Sequence, residues 1–186
     1  ELSMVQKQEL QTTEKQAIAR YAASLIEPDD CVYLDAGTTT GWMIEYIRQE
    51  KATYITNALS HAKRLADKGF SVILIGGEPK SSTDAIVGGE AVLNLQKYHF
   101  SKGFFGVNGV DRLSGFTTPD VKEAVVKQAA VKNTQPAHRY FLTTSSKFGE
   151  VYAVTFAGFE GGTILTEDNV SEVLPKSIEI INVTQQ

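Results

Sequence analysis

The sequence predicts an α/β fold: three layers, with a mostly parallel sheet at the centre and helices on both of its faces. Three observations lead there. Apolar runs of strand length alternate along the 186 residues with segments whose apolar positions recur every three or four residues. The runs are nearly continuous, as strands covered on both faces require. Gly, Asn, Asp and Ser gather where the runs end, which is where such sheets turn into their next helix.

In chain order, Thr13 and Gln16 form a capping-box pattern ahead of an apolar stripe of Ala17, Ile18, Tyr21, Ala22, Leu25 and Ile26, and Pro28 closes this first helix. Cys31–Leu34 reads as a buried strand that ends in Asp35 and turns at Gly37. It re-emerges as a helix with Trp42, Met43, Tyr46 and Ile47 on one face. Residues 52–56 read as a strand, 60–68 as a helix closed by Gly69, and 70–75 as a strand running into Gly76-Gly77. A polar loop over 78–84 precedes a helix over 90–97, and 102–107 is a strand ending at Asn108-Gly109. The long helix that follows is expected to take Thr118 as its cap and Pro119 as its first residue, with Val121, Ala124, Val125 and Ala129 facing inward as far as Lys132. Residues 140–144 and Thr163–Thr166 read as two more strands, and 178–183 as a strand or a helix end.

A chain of this length buries one core, and no low-complexity linker divides it, so residues 1–186 are expected to form a single domain. The net charge is −4, with lysines and arginines scattered. No basic stripe marks this segment as a nucleic-acid binder in its own right. The lone Cys31 has no partner for an internal disulfide and reads as a small core hydrophobe in a reducing compartment. Neither a membrane span nor a signal peptide is visible, which points to the cytoplasm. His61, His99 and His138 lie far apart, with no ligand spacing, and read as exposed or capping residues, so no metal or other cofactor is implied. The aromatics Phe100, Phe104, Phe105 and Phe116 read as core, with some of this surface available to subunit contacts.

In parallel sheets ligands collect beyond the carboxyl ends of the strands. Five polar loops fall there: Asp35 to Thr40, Thr56-Asn57, Gly76 to Lys80, Asn108 to Asp111 and Ser145 to Lys147. Each suits turn chemistry alone, but together they describe a pocket. Gly37, Thr38, Thr39 and Thr40 would sit at a helix N-terminus, where unpaired N–H groups and the positive end of the dipole favour an anion; the same stretch also serves as an ordinary threonine cap. Glu123 and Lys127 stand four apart in the order of an exposed helical ion pair.

Seven segments, read in order, resemble the effector domain of the DeoR family of sugar-operon repressors. They are Lys15-Gln16-Ala17-Ile18-Ala19, Leu34-Asp35-Ala36-Gly37-Thr38-Thr39-Thr40, Ile55-Thr56-Asn57, Ile75-Gly76-Gly77, Phe105-Gly106-Val107-Asn108-Gly109-Val110-Asp111, Glu123-Ala124 and Ser145-Ser146-Lys147-Phe148-Gly149. The resemblance covers nearly the whole chain. It implies a fold similar to ribose-5-phosphate isomerase, a sugar-phosphate effector, a homo-oligomer, and operator DNA bound only through a winged helix-turn-helix upstream of residue 1. It implies too that Asp35, Gly37, Thr38, Thr39 and Thr40 form the phosphate loop, with Lys147 as its cation. Glu123 and Asp111 would accept from sugar hydroxyls, Asn57 and Asn108 would donate and accept, and Lys80 would supply an anion contact. The family commonly has an aspartate where this chain has Thr144, two residues ahead of Ser146, which leaves the orientation of Lys147 open. The stretches Asn108-Gly109-Val110-Asp111 and Gly115-Phe116-Thr117-Thr118-Pro119-Asp120 are more similar to fructose-operon than to lactose-operon repressors, which implies fructose 1-phosphate as effector. The competing class is a sugar-phosphate isomerase with Glu123 as base, but Asn108 to Asp111 lacks the paired Asp-Glu of ribose-5-phosphate isomerases.

Overall fold

The structure, a computed structural model, describes residues 11–186, so the first ten residues of the expected 1–186 unit lie outside the described residues. In chain order the elements are α1 (Thr12–Ser24), β1 (Cys31–Leu34), α2 (Thr38–Tyr46), β2 (Thr53–Thr56), α3 (Leu59–Asp67) and β3 (Ser71–Leu74). Next come β4 (Glu78–Lys80), β5 (Ala85–Val87), α4 (Gly89–Leu95), β6 (Lys102–Gly106), β7 (Gly109–Asp111), β8 (Gly115–Thr118) and α5 (Val121–Lys132). The chain ends with β9 (Arg139–Leu142), β10 (Val154–Ala157), β11 (Thr163–Thr166) and β12 (Glu179–Asn182).

Seven strands form the main sheet in the order β12-β11-β9-β6-β1-β2-β3, every neighbouring pair parallel. The chain starts in the middle at β1, builds outward through β2 and β3, then returns to lay β6 on the other side of β1 and continues outward to β12. The order therefore reverses between β1 and β6, and the connections leaving these two strands diverge. Side chains alternate across the sheet. Val32 and Leu34 of β1 enter one buried cluster with Ile18, Met43, Ile44, Tyr54 and Phe104. Tyr33 enters the other, with Ile55, Phe100, Phe105, Phe116 and Phe141. The aromatics read as core are core: the Phe116 and Phe141 rings stack with centroids 3.9 Å apart.

Several expectations differ in detail. The first helix begins at Thr12, and Gln11, in a left-handed conformation, takes the cap position with no side-chain cap bond, so the Thr13 capping box does not form. Thr118 ends β8 and Pro119 lies outside the helix. The cap of α5 is Asp120, whose carboxylate accepts from the Glu123 N–H. The stretch read as a loop over 78–84 opens with β4, which pairs antiparallel with β5. Residues 109–118 form the hairpin β7–β8, and β10 adds to it as a third antiparallel strand. Short, polar and Thr-rich strands of this kind carry no apolar run, and periodicity misses them. The end of the chain resolves as strand β12 followed by a 3₁₀ turn.

The inward face of α5 is rotated from the expected one. Val121 and Val125 are 62% and 46% exposed, while Ala124, Val126, Lys127, Ala130 and Val131 are buried. A charged residue thus sits on the buried stripe, and the expected surface ion pair of Glu123 with Lys127 is not made.

Close packing in the middle of the sheet generates a first prediction. A Cβ on Gly103 of β6 would stand 2.7 Å from Thr134 Oγ1 and 2.8 Å from the Phe105 ring. Gly103→Ala should therefore cost about 1–3 kcal/mol through forced repacking. Urea unfolding should show a lower midpoint at unchanged slope; an unchanged midpoint would mean that the strand has room there.

Candidate functional site

The site grows out of the place where β1 and β6 part. The last bond between them runs from the Asp35 N–H to the Phe104 carbonyl, 3.0 Å. Beyond it the Asp35 carboxylate accepts from the Gly106 N–H at 3.1 Å and from the ammonium of Lys127, which also donates to the Gly106 carbonyl at 3.0 Å. Burial pushes the Asp35 carboxyl above its ordinary range, against the opposing pull of Lys127 and of the Gly106 N–H.

Above this floor lies a cavity of about 630 Å³. The β1–α2 loop brings Gly37, Thr38 and Thr39 to it, the end of β6 brings Gly106 and Asn108, and α5 brings Glu123 and Lys127. The turn after β9 adds Thr144, Ser146 and Lys147, and the start of α1 adds Gln11 and Lys15. Helix α2 opens at Gly37 with no side-chain cap bond, so its first N–H groups keep their capacity for a ligand's anionic oxygens. Lys147 reaches the same space from a 3₁₀ turn, Ser145–Lys147. Glu167 fixes that turn, accepting the Ser145 N–H at 3.0 Å and its hydroxyl at 2.6 Å. The Thr144 hydroxyl, at the position where the resemblance leads one to expect an aspartate, donates to Gln11 Oε1 at 2.8 Å and so ties the turn to the start of α1.

Of the residues singled out from sequence, Gly37, Thr38, Thr39, Asn108, Glu123 and Lys147 line the cavity. The others stand behind it or away from it. Asp35 is part of the floor, sealed under Lys127. Thr40 is buried, its hydroxyl donating to the Asp35 and Gly37 carbonyls at 2.6 and 3.1 Å, so it shapes the loop from within. Asn57 does likewise: its Oδ1 accepts from the Tyr33 hydroxyl and the Ala36 N–H, each at 3.0 Å. Lys80 stands behind Glu123, 3.0 Å from Asp120 and 3.7 Å from Glu123, and orients that carboxylate together with the Thr83 hydroxyl, which donates to it at 2.6 Å. Asp111 lies outside the cavity. It sits in the turn of the β7–β8 hairpin, where the N–H groups of Leu113 and Ser114 bond its carboxylate and hold it below its usual range.

Sequence reasoning missed Lys15 and Lys127. Both carried a legible signal, since each is a charge on an apolar helical stripe: Lys15 with Ile18, Ala19 and Ala22, and Lys127 with Ala124, Ala130 and Val131. His61 also differs from its reading as an exposed residue. It is buried behind the phosphate-type loop, hydrogen-bonded to the backbone of Gly37, and its Nδ1 has no partner. The ring packs on Gly41, where an added Cβ would stand 2.9 Å from Nε2.

Residues 10–169 match the family model of the DeoR C-terminal sensor domain. The chain is 44% identical over 169 residues to a protein of Bacillus subtilis named as the uncharacterized HTH-type transcriptional regulator FruR, covering 90% of this chain and 66% of that one. It is 35% identical over 182 residues to the lactose phosphotransferase system repressor of Staphylococcus aureus, covering 96% and 71%. Among solved structures, ribose 5-phosphate isomerase A of Neisseria gonorrhoeae superposes with a TM-score of 0.53 at 12% identity, over 76% of this chain and 54% of the isomerase. The delta subunit of eIF2B from Chaetomium thermophilum gives 0.53 at 19% identity, over 76% and 50%. These two share the fold. The chain spans about two thirds of the length of the curated relatives and about half of the structural ones.

The buried His61 generates a prediction about pH. Burial and the nearby Arg64 pull its pKa from 6.5 to about 4. Between those values the unfolded chain binds a proton that the folded chain refuses, so stability falls as pH drops from about 6.5 to about 4, by on the order of 3 kcal/mol from this group. Urea midpoints at pH 7 and pH 4.5 should diverge less for His61→Gln than for wild type. Equal divergence would mean that His61 is not held neutral.

Proposed function

The chain belongs to the family of DeoR C-terminal sensor domains, and from that premise we propose that it is the sugar-phosphate-sensing part of a transcriptional repressor of a sugar-utilisation operon. Ligand binding here would modulate DNA binding by a helix-turn-helix supplied elsewhere in the full protein, as the HTH-type name of its relative suits. The observation that carries the reading is the cavity at the strand-order reversal. An uncapped helix N-terminus and lysine side chains meet there, opposite a carboxylate held ready by Thr83 and Lys80. A phosphate suits the first group and sugar hydroxyls suit the second. We take fructose 1-phosphate as the effector, a cytoplasmic setting and a homo-oligomeric assembly as the finer parts of this proposal.

The isomerase reading has less support. Isomerisation needs a base and a second group to handle the enediolate. Glu123 lines the cavity, but Asp111, which would complete an acid pair, is bonded into a hairpin turn away from it. The two curated relatives are named as a transcriptional regulator and a repressor. No turnover of pentose or hexose phosphates is expected; turnover abolished by Glu123→Gln would reverse that.

A thermal-shift panel of sugar phosphates should raise the melting temperature for its true ligand, since a ligand of the native state stabilises with the logarithm of its concentration over Kd. Thr38→Val removes a hydroxyl at the loop, and Lys147→Ala removes a cation. Charge-assisted hydrogen bonds contribute about 1.5–3 kcal/mol, so each change should weaken the phosphorylated sugar about tenfold to a hundredfold in calorimetry while folding survives. Unchanged affinity in both would mean that the Gly-Thr-Thr-Thr loop is only a helix cap.

A further inference from the structure

Lys127 is explained neither by an exposed helical pair nor by core packing. Its side chain is 8% exposed and that of its partner Asp35 is 1% exposed. Taking two charges out of water commonly costs as much as their attraction returns, and neutral side chains could bond the Gly106 backbone groups without that cost. Yet the lysine lines the cavity while Asp35 does not.

An ammonium has three N–H donors. Asp35 takes one and the Gly106 carbonyl another, and Asp35 is itself anchored by the Gly106 N–H. The ammonium also lies over the Phe156 ring, 5.3 Å from its centroid, a cation–π contact that draws on its charge and supplies no hydrogen-bonding oxygen. One donor therefore remains for whatever occupies the cavity. Glu123 stands one helical turn before Lys127 and lines the same space, and residues four apart on a helix have Cβ atoms about 5–6 Å apart. Helix α5 thus presents an acceptor and a donor one turn apart, a pattern suited to neighbouring hydroxyls, each of which both donates and accepts.

We propose that Lys127 is a specificity-determining residue that donates a hydrogen bond to a sugar oxygen of the ligand, with Asp35 behind it as the positioning residue that holds the ammonium in place. The proposal rests on the sugar-phosphate reading above and deepens it. The phosphate is left to the α2 N-terminus and Lys147, so the Lys127 contact selects among phosphorylated compounds by what else they carry.

The test is calorimetry and thermal melting on wild type, Lys127→Met and the double variant Asp35→Asn/Lys127→Met. The probes are fructose 1-phosphate, fructose 6-phosphate, glucose 6-phosphate and, by competition, inorganic phosphate. The single variant leaves a lone buried carboxylate and should melt lower than wild type. The double variant removes both charges and should melt above the single variant, yet both variants should bind the preferred sugar phosphate at least tenfold more weakly. Inorganic phosphate should compete equally well against wild type and the double variant, and less well against the single variant, whose unpaired Asp35 carboxylate repels it. A double variant that regains full sugar-phosphate affinity along with its stability would reduce Lys127 to a structural staple. An equal loss towards inorganic phosphate in the double variant would overturn the assignment to a sugar oxygen. A wild type that binds none of the sugar phosphates, with inorganic phosphate as its only ligand, would sink the sensor reading itself and the role of Lys127 with it.

Discussion

Everything at the candidate site follows from the parting of two neighbouring parallel strands. As long as β1 and β6 run side by side, their backbone groups satisfy one another. Past Asp35 they cannot, because one connection turns towards α2 and the other continues into the β7–β8 hairpin. Buried backbone donors and acceptors left without partners are costly, and here side chains take over from the ladder. Asp35 receives the Gly106 N–H, Lys127 supplies the Gly106 carbonyl, and Asn57 receives the N–H of Ala36 from behind. The crevice is thus not merely a gap between elements. Its floor is a polar network that substitutes for the hydrogen bonds the sheet has ceased to provide.

The same network sets the electrostatics. A carboxylate buried two residues before an anion-accepting loop would repel an arriving phosphate if it stood alone. Lys127 neutralises it at contact distance, so the positive end of α2 and Lys147 act on the cavity without an opposing charge beneath them. Glu123 is treated differently. Thr83 and Lys80 hold it at the cavity wall, where it keeps acceptor capacity that a compact buried partner would have taken up.

How much of this could be read from the sequence depended on whether function and local pattern coincided. The β1–α2 unit was legible because its apolar run, its Gly37 turn and its helical spacing are contiguous, and Gly37, Thr38 and Thr39 fall where that pattern puts them. Lys147 was legible for the same reason, following a strand at its carboxyl end. The β7–β8–β10 sheet was not, since its strands are short and polar and its register comes from pairing across some forty residues. Asp111 was misread on account of it: an Asp after Asn-Gly-Val suits a ligand loop and a hairpin turn equally, and only the partner strands decide. Lys127 was misread in the opposite direction, because an i to i+4 pair with Glu123 satisfies a local rule that tertiary burial overrides.

That override says what separates a sensor from an enzyme on a shared scaffold. The fold is common to this chain and to ribose 5-phosphate isomerase A, and a shared fold does not fix what is done to a ligand. Chemistry would require ionisable groups free to exchange protons with the substrate. In this chain Glu123 is the one carboxylate among the described residues that line the cavity, since Asp35 is paired beneath Lys127 and Asp111 bonds the backbone of its own turn. A single carboxylate held in a fixed direction can discriminate among ligands by geometry, but it lacks the paired acid that the isomerase reading calls for. A binding site that reports occupancy and leaves its ligand intact is what such an arrangement favours.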